Sequence, residues 1–487
     1  MNDSVIIEKS KRGNDILINS GYEFCLNKNV NDKFYWCCVH KQRKQCSSTM
    51  TTEFSEGNGH SVVKDMTEHS HSPDASLLSS ISFKNKLKQD AAATSIKPVQ
   101  IIQANLEAVP STSASSLPNK NAMRQVIYRA RKKNKPKEPL TLDDIDIPSE
   151  YVFVEGERFL ARDTKYGGKN RMLLFCTKQN IKILSESLVW LMDGTFKTCP
   201  ALFRQIYSIH AIVGHDDKTK KTIPLVYCLL TDKTEESYLV FIRELRSFAA
   251  EYEYELNPRH IVTDFEIAII NIIRIDFPDA HHQGCLFHLG QNVWRQIQRS
   301  GLASRYGSDS DFSLKLRHLI ALAYLPPDEI PEAFKSLKES VLPEEARSVT
   351  EWFETYYVLG KLVSQPSNST SVFISRSSPM FPPQLWSINT NNHLRLPRTQ
   401  NKVEAWHRRW NSLLNNNRHG LYETIRELKK EQTTTNHAIE KTLACIPKTP
   451  PRKKIKERSH ALLKLSEKRH TMDLLQFLRG VANHTEL

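Results

Sequence analysis

Two sets of side chains in this sequence are of the types and spacings that do chemistry. The first is Phe34-Tyr35-Trp36-Cys37-Cys38, followed by Cys46 and then His69-Ser70-His71. Thiolate sulfur and imidazole nitrogen, two of each, are what a tetrahedral Zn²⁺ takes. Four of the 9 cysteines fall in the first 46 residues, and a reducing compartment leaves such thiols free for metal rather than for disulfides. So short and polar a segment cannot build a sufficient apolar core, so metal binding is expected to supply much of its folding free energy. Tyr35 and Trp36 then read as what core there is, not as groups that stack on DNA. The bland alternative is free thiols and surface histidines in a tail.

The second set is three carboxylates far apart in sequence. Asp193 ends the apolar run SLVWLMD, Asp264 follows HIVT, and Glu404 opens NKVEAWHRRWNSLL. Each has an ordinary explanation when taken singly. Asp193-Gly194 suits a tight hairpin turn, Asp264 a helix N-cap, and Asn401 with Glu404 a capping box. A Cys285-x-x-His288 pair is a possible structural metal contribution, against a buried cysteine beside a hydrogen-bonded histidine.

The elements that must position these carboxylates decide between the readings. Apolar, β-branched runs at SLVWLMD, LFRQIYSIHAIV and TIPLVYCLL predict three successive strands. Tyr238, Phe241, Ile242, Leu245 and Phe248 recur at helical spacing, and HIVTD is a fourth strand. Three strands, a helix, a strand and a further helix is the element order of a ribonuclease H-like core. There, acids from the first strand, the fourth strand and a later helix converge. Such a cluster suits two divalent cations about 3.5 to 4 Å apart, which activate an attacking oxygen and stabilise a leaving one; hard cations choose carboxylate oxygens. On a helical wheel Val403, Trp406, Trp410, Leu413 and Leu414 form one stripe, leaving Glu404, Arg408 and Asn411 on a polar face.

The expected fold class is therefore α/β: a ribonuclease H-like mixed sheet with an all-helical insertion, plus a small amino-terminal zinc-binding β-rich module. Predicted boundaries are 1–73 for the finger and 74–150 for a linker with a basic helical segment. The core's first part is 151–284, the helical insertion and a Ser-, Pro- and Asn-rich loop 285–398, the core's last part 399–430, and a basic helical tail 431–487. Within the linker, SPDASLLSSIS reads as an unpacked connection, with two short helices between Phe83 and Ala108 interrupted at Pro98.

Charge narrows the partners. Lys and Arg number 68 against 54 Asp and Glu, a net +14, which favours a polyanion. No apolar run approaches the ~20 residues that span a bilayer, and the start lacks the apolar stretch of a signal peptide, so a soluble intracellular protein without a membrane partner is expected. The basic run from Arg124 to Lys137 makes Arg129, Arg131, Lys132 and Lys133 candidate nucleic-acid contacts, with Arg408 on the polar helix face; a solvated charged face is the plain alternative. TPPRKKIKER near the carboxyl end reads as a nuclear import signal.

The aromatic, Trp, Cys and His pattern over residues 10 to 73 resembles the FLYWCH zinc finger. By that resemblance the Zn²⁺ ligands are Cys38, Cys46, His69 and His71; Cys37 stands where an ordinary residue usually lies, so a register one residue earlier stays open, with His40 and His60 as further candidates. Asp193-Gly194-Thr195-Phe196, Thr263-Asp264-Phe265-Glu266, Cys285-Leu286-Phe287-His288 and Thr399-Gln400-Asn401-Lys402-Val403-Glu404 resemble the MULE family of DDE transposases, over residues 150 to 430. Gln400 departs from the paired asparagines usual there. The resemblance implies a catalytic triad of Asp193, Asp264 and Glu404 holding Mg²⁺ or Mn²⁺, double-stranded DNA (element ends and target) as substrate, a homo-oligomer on DNA and a nuclear location. The alternatives are a domesticated descendant that binds DNA as a transcription or chromatin factor, and a ribonuclease H-like nuclease that does not transpose.

Overall fold

The computed structural model describes the chain apart from residues 1–4, 11–12, 56–58, 75, 95, 108, 110–116, 134–135, 215, 217, 367–371, 391–400, 415–418, 449, 451–452 and 486–487. Thr399 and Gln400 of the second resemblance lie outside the described residues, as does most of the loop 109–120. The chain divides into two compact units, Met1–Lys137 and Glu138–Leu487. Among the described residues no helix is long and apolar enough to cross a membrane.

The first unit opens with six strands, β1 (Ile6–Lys9), β2 (Asp15–Asn19), β3 (Tyr22–Val30), β4 (Lys33–Cys38), β5 (Thr49–Ser55) and β6 (Gly59–Lys64), paired antiparallel in chain order. Alternate residues Leu17, Phe24, Trp36 and Met50 meet in a small core, the period-two pattern of a sheet with one covered face. Asn31 and Asp32, both with positive φ, make the β3–β4 turn, as the twist-matched two-residue hairpin turn requires. Gly21 also has φ +80, and a Cβ there would stand 2.9 Å from Pro73 Cβ, so the chain leaving the sheet needs glycine at this point.

Three helices follow, α1 (Leu77–Ala93), α2 (Pro98–Glu107) and α3 (Lys120–Lys133), around Phe83, Leu87, Ala91, Ile101, Ile102, Met123 and Ile127. The serine-rich stretch is thus helical from Leu77, not an open connection. Ser82 and Asn85 hydrogen-bond the Glu8 carboxylate on β1, so polar residues that read as linker dock the helix. Pro98 begins α2, so two short helices lie on either side of the break as expected; at a first helical position its missing N–H costs nothing.

The second unit starts with a stretch predicted to be linker. Leu142 O and Ile145 O accept hydrogen bonds from the Arg171 guanidinium, and Ile145 is buried, so residues from Glu138 pack here. After α4 (Ser149–Val152) and a two-residue hairpin, β7 (Phe153–Val154) with β8 (Glu157–Arg158), the main strands are β9 (Leu160–Tyr166), β10 (Asn170–Phe175), β11 (Val189–Thr195), β12 (Gln205–Val213), β13 (Lys221–Leu230), β14 (His260–Thr263) and β15 (His281–Gly284). They form one sheet ordered β15-β14-β11-β12-β13-β10-β9. β11, β12 and β13 are antiparallel neighbours, whereas β14 runs parallel to β11 and β15 parallel to β14. The expected mixed sheet is present, with β9 and β10 as two strands that the sequence reading did not place.

Alternation sorts the two faces. Met172, Leu174, Trp190 and Met192 pack with α6 (Glu235–Ala250) and α7 (Ile267–Asp276), while α5 (Lys178–Glu186) adds Ile181 and Leu184 to the same layer. Leu173, Phe175, Tyr227 and Leu229 pack with Trp406 and Trp410 of α14 (Asn401–Leu413) and with α15 (Leu421–Leu443). The boundary at 430/431 therefore falls inside a helix. Glu431, buried on α15, accepts from Trp406 Nε1 (2.7 Å) and from Arg409, which ties α14 to α15.

Between the sheet and α14 lie α8 (Leu286–Arg299), α9 (Ala303–Ser308), α10 (Ser310–Ala321), α11 (Ile330–Ser340), α12 (Arg347–Phe353) and α13 (Pro383–Trp386). This region is not all-helical: Leu362–Pro366 and Val372–Arg376 pair as an antiparallel hairpin where a loop was expected. Nor is the tail separate. After α16 (Lys453–Glu467), α17 (Leu474–Asn483) puts Phe477, Leu478, Val481 and Ala482 into the same core as Leu316, Leu319 and Phe334.

Candidate metal centres

In the first unit the ends of β4 and of the loop before β5, with the strand-free segment after β6, bring Cys38, Cys46, His69 and His71 together; one ligand atom from each lies within 4.8 Å of all the others. Cys38 Sγ is 3.3 Å from His71 Nε2, Cys46 Sγ 3.3 Å from His69 Nδ1, and the two nitrogens are 3.4 Å apart. Tetrahedral zinc with ordinary bond lengths sets such edges at about 3.5 Å, so the donor set and its spacing fit Zn²⁺. Cys37, on the opposite face of β4, has its Sγ 3.5 Å from Cys25 Sγ across the strand pair. The earlier ligand register is thereby disfavoured, and neither His40 nor His60 joins the group.

Outer hydrogen bonds set the tautomer of each imidazole. Ser48 Oγ donates to Thr67 O (2.6 Å), so toward His69 Nε2 (3.0 Å) it accepts, which leaves the Nδ1 lone pair aimed at the sulfurs. Ser72 O can only accept, so His71 Nδ1 (3.1 Å) carries its proton and Nε2 offers a lone pair. Both rings present a lone pair to the cluster, as metal ligation requires. Tyr22 stacks on His69 with centroids 3.7 Å apart, and burial, with the nearby His71, holds His69 below the ordinary histidine pKa.

In the second unit, the register Leu191↔Val262 between parallel β11 and β14 puts Asp193 and Asp264 two residues further along adjacent strand ends. Asp193-Gly194 is not a turn: both residues lie within β11, opposite Ser208 and Tyr207. A Cβ at Gly194 would stand 2.7 Å from Gln205 Oε1 and 3.1 Å from Tyr207, so the small residue lets the strand run on beside the carboxylate. Nor does Asp264 cap α7, whose N-cap is Glu266; its Oδ1 accepts from Glu266 N at 3.3 Å. Val403 packs with Leu191, which points Glu404 to the same sheet face as Asp193.

The residue between the carboxylates is His288. Its Nε2 is 3.1 Å from Glu404 Oε1 and 4.0 Å from Asp193 Oδ1, and Asp193, His288 and Glu404 form a second group of potential ligands. Asp264 is not in that close group but is its electrostatic neighbour. Cys285 occupies the N-cap position of α8 and is buried against Leu191, Val262 and Val403; of the Cys-x-x-His pair, only the histidine joins the group with Asp193 and Glu404. On the far side His407 Nδ1 donates to Asp193 Oδ2 at 3.2 Å. The sequence reading missed His407, although its three-residue step from Glu404 puts both on neighbouring faces of one helix.

The charges are interdependent. Burial pushes Asp264 up to about 7, reinforced by the like charge of Asp193. Burial works the same way on Asp193, but the hydrogen bond and charge of His407, then His288 and the Gly194 amide, hold it below the usual range. For His288 burial favours the neutral ring, yet Cys285, Glu404 and Asp193 outweigh it and raise the pKa to about 11. An imidazolium between two carboxylates supplies some of the positive charge that a cluster of three acids requires. Burial next to His407 drives His210, behind them, down to about 3.

The candidate DNA-contacting cations diverge. Arg129 and Arg408 are exposed. Arg131 donates to Ala91 O (3.3 Å), Thr94 O (3.0 Å) and Ile96 O (2.6 Å), which caps the carboxyl end of α1. The side chains of Lys132 and Lys133 lie outside the described residues. On α14 Val403, Trp406, Trp410 and Leu414 are buried as the wheel predicted, but Leu413 is 52% exposed. Asn411 accepts from Thr198 Oγ1 at 2.9 Å.

Two known families match the chain. Residues 189–292 match the MULE transposase domain, a span that holds Asp193, Asp264, Cys285 and His288. Residues 7–71 match the FLYWCH zinc finger domain, a span that holds the four Cys and His ligands. No curated protein sequence matches the chain. The two domains mark a transposase-related protein with an amino-terminal zinc finger, a pairing that suggests DNA as its ligand.

Proposed function

We propose that the chain is a DDE-type DNA transposase on a ribonuclease H-like core, which binds element ends and carries out metal-dependent phosphodiester hydrolysis and strand transfer. The observation that carries this reading is the meeting of Asp193 on β11 with Glu404 of α14 at His288, with Asp264 following the neighbouring parallel strand as an electrostatic neighbour. The sheet order supports the core assignment, since three antiparallel strands are extended from the first of them by two parallel ones.

Oxygen donors on a cluster with too much negative charge suit Mg²⁺ or Mn²⁺, and Asp193, Asp264 and Glu404 would hold it. Bound there, such ions would lower the pKa of the attacking hydroxyl or water and stabilise the leaving oxygen. The chain's own groups set the stage. His407 and the Gly194 amide fix the Asp193 carboxylate, His288 orients Glu404, and exposed Arg408 offers charge to a phosphate. In the first step water forms a bond to phosphorus as the P–O3′ bond breaks, and O3′ takes up a proton. In the second, that 3′ hydroxyl attacks a target phosphodiester, with its proton passing to the displaced oxygen.

The zinc module and exposed Arg129 would recognise element ends, with phosphate contacts for affinity and base contacts for specificity. Two ends joined in concert call for two active sites, hence a homo-oligomer on DNA, and chromosomal targets call for nuclear entry through the basic tail.

The test is strand cleavage and joining of element-end DNA by purified protein with Mg²⁺ or Mn²⁺, beside Asp193→Ala, Asp264→Ala and Glu404→Ala. Activity lost in all three variants, with zinc-dependent DNA binding kept, is the expected result. A wild-type chain that binds DNA and cuts nothing would favour a domesticated DNA-binding factor instead.

A further inference from the structure

Helix α8 leads away from the carboxylates along one polar face. His288, Asn292, Arg295 and Arg299 follow at steps of four, three and four residues, a single stripe on a helix. The last three line a cavity of about 330 Å³ whose other walls are Trp352, Tyr356, Tyr357, Met380 and Phe381. Its composition is distinctive. Trp352 and Tyr356 are half-buried, Met380 is 52% exposed, and Arg295 and Arg299 are exposed with no carboxylate partner among the described residues, Arg295 donating to Gln291 Oε1 at 3.2 Å. Lys361 adds a cation 6.0 Å from the Tyr356 ring. Asn292 donates to Tyr357 OH at 3.1 Å, which leaves its amide oxygen as an acceptor.

Aromatic faces beside guanidinium groups that no carboxylate neutralises are the composition that holds single-stranded nucleic acid, with bases stacked and phosphates paired. The cavity's size suits one base and excludes a duplex; sites for small ligands begin at about 300 Å³. Along the helix, Arg295 is about 10 Å and Arg299 about 16 Å from His288 at ~1.5 Å per residue. That distance is about three to five nucleotides at ~3.4 Å each. We propose that this cavity takes one unpaired nucleotide of the DNA strand whose phosphate lies at the carboxylates, its base against Trp352 and Tyr356 and its phosphates on Arg295 and Arg299. The proposal rests on the transposase reading for the strand's path, and supplies what that reading lacks: a place for a base drawn out of the duplex near the cut.

The test uses the full zinc-loaded chain without divalent catalytic metal, so that binding is read apart from cleavage. Probes are a blunt duplex and the same duplex with a single-stranded tail of about four nucleotides carrying 2-aminopurine. Expected are binding to the tailed probe about tenfold tighter, quenching of 2-aminopurine, and loss of both effects in Trp352→Ala and in Arg299→Glu, with blunt-duplex affinity unchanged. Arg299 is exposed, so its variant keeps the test valid if Trp352→Ala misfolds. Equal binding of the two probes by the wild type, or a tail preference kept in Arg299→Glu and in folded Trp352→Ala, would overturn the proposal. Tail preference in a chain that cleaves nothing would sink the catalytic reading alone, whereas cleavage without tail preference would sink this one alone.

Discussion

Replacing Ser48 by alanine tests whether the zinc site depends on the hydrogen bonds behind its ligands. Ser48 Oγ accepts from His69 Nε2 and donates to Thr67 O, so the variant frees the proton that fixes the His69 tautomer. Little else should move. Tyr22 still stacks on the ring, and Thr67 is still held by its backbone bond to Thr49 O at 3.1 Å. Losing one such outer partner typically weakens metal binding by about 10- to 100-fold, or about 1.4 to 2.7 kcal/mol. Because ordering of so small a module is coupled to the metal, the same loss should reappear in the stability of the holo form. The assay is competition for Zn²⁺ with a chromophoric chelator, beside Ser61→Ala, whose hydroxyl donates to Glu53 O on the exposed edge, outside the ligand group, and should change nothing. Ser48→Ala with affinity within about threefold of wild type would refute the tautomer argument.

Two other outcomes follow from the second and first units respectively. Asp264 titrates near 7 instead of 3.8, so between those values the folded chain binds a proton that the unfolded chain has lost, and stability falls as pH rises. Asp264→Asn, which mimics the protonated acid, should exceed wild type in metal-free thermal unfolding by a margin that grows from about pH 5 to about pH 8. The gain is at most about 4 kcal/mol and about 2 after allowance for solvent access; an equal difference at both pH values would contradict it. Arg129→Ala should shallow the salt dependence of DNA binding by about one counterion. Arg131→Ala should instead lower the melting temperature of the first unit and leave that slope unchanged, since its bonds go to the α1 carbonyls; the opposite pattern would reverse the two roles.

Much of the site could be read from residue types because strand ends and helix faces obey short periods. Asp193, Asp264 and Glu404 each closed or opened an apolar run, so their elements could be placed; of the three, Asp193 and Glu404 meet, at His288, and Asp264 stays beside them. His407 escaped because its role depends on which way α14 is rolled, which is set by Trp406, Trp410 and Glu431 packing beneath it. Arg131 looked like its neighbours in the basic run; only the position of the α1 carboxyl end separates it from Arg129. The serine-rich start of α1 misled for a related reason, since composition registers polarity but not the Glu8 carboxylate that receives Ser82 and Asn85.

The shared core of α17 and the helices between β15 and α14 bears on how the chain comes off the ribosome. Leu316, Leu319 and Phe334 must wait for Phe477, Leu478 and Val481 before their apolar surface is covered. At ~5–20 residues per second, the interval from Phe334 to Phe477 is on the order of ten seconds, during which a greasy face is open to chaperones and to other nascent chains. A stop codon placed just before Leu474 would spare every acid of the cluster and still yield a product bound for aggregation or proteolysis.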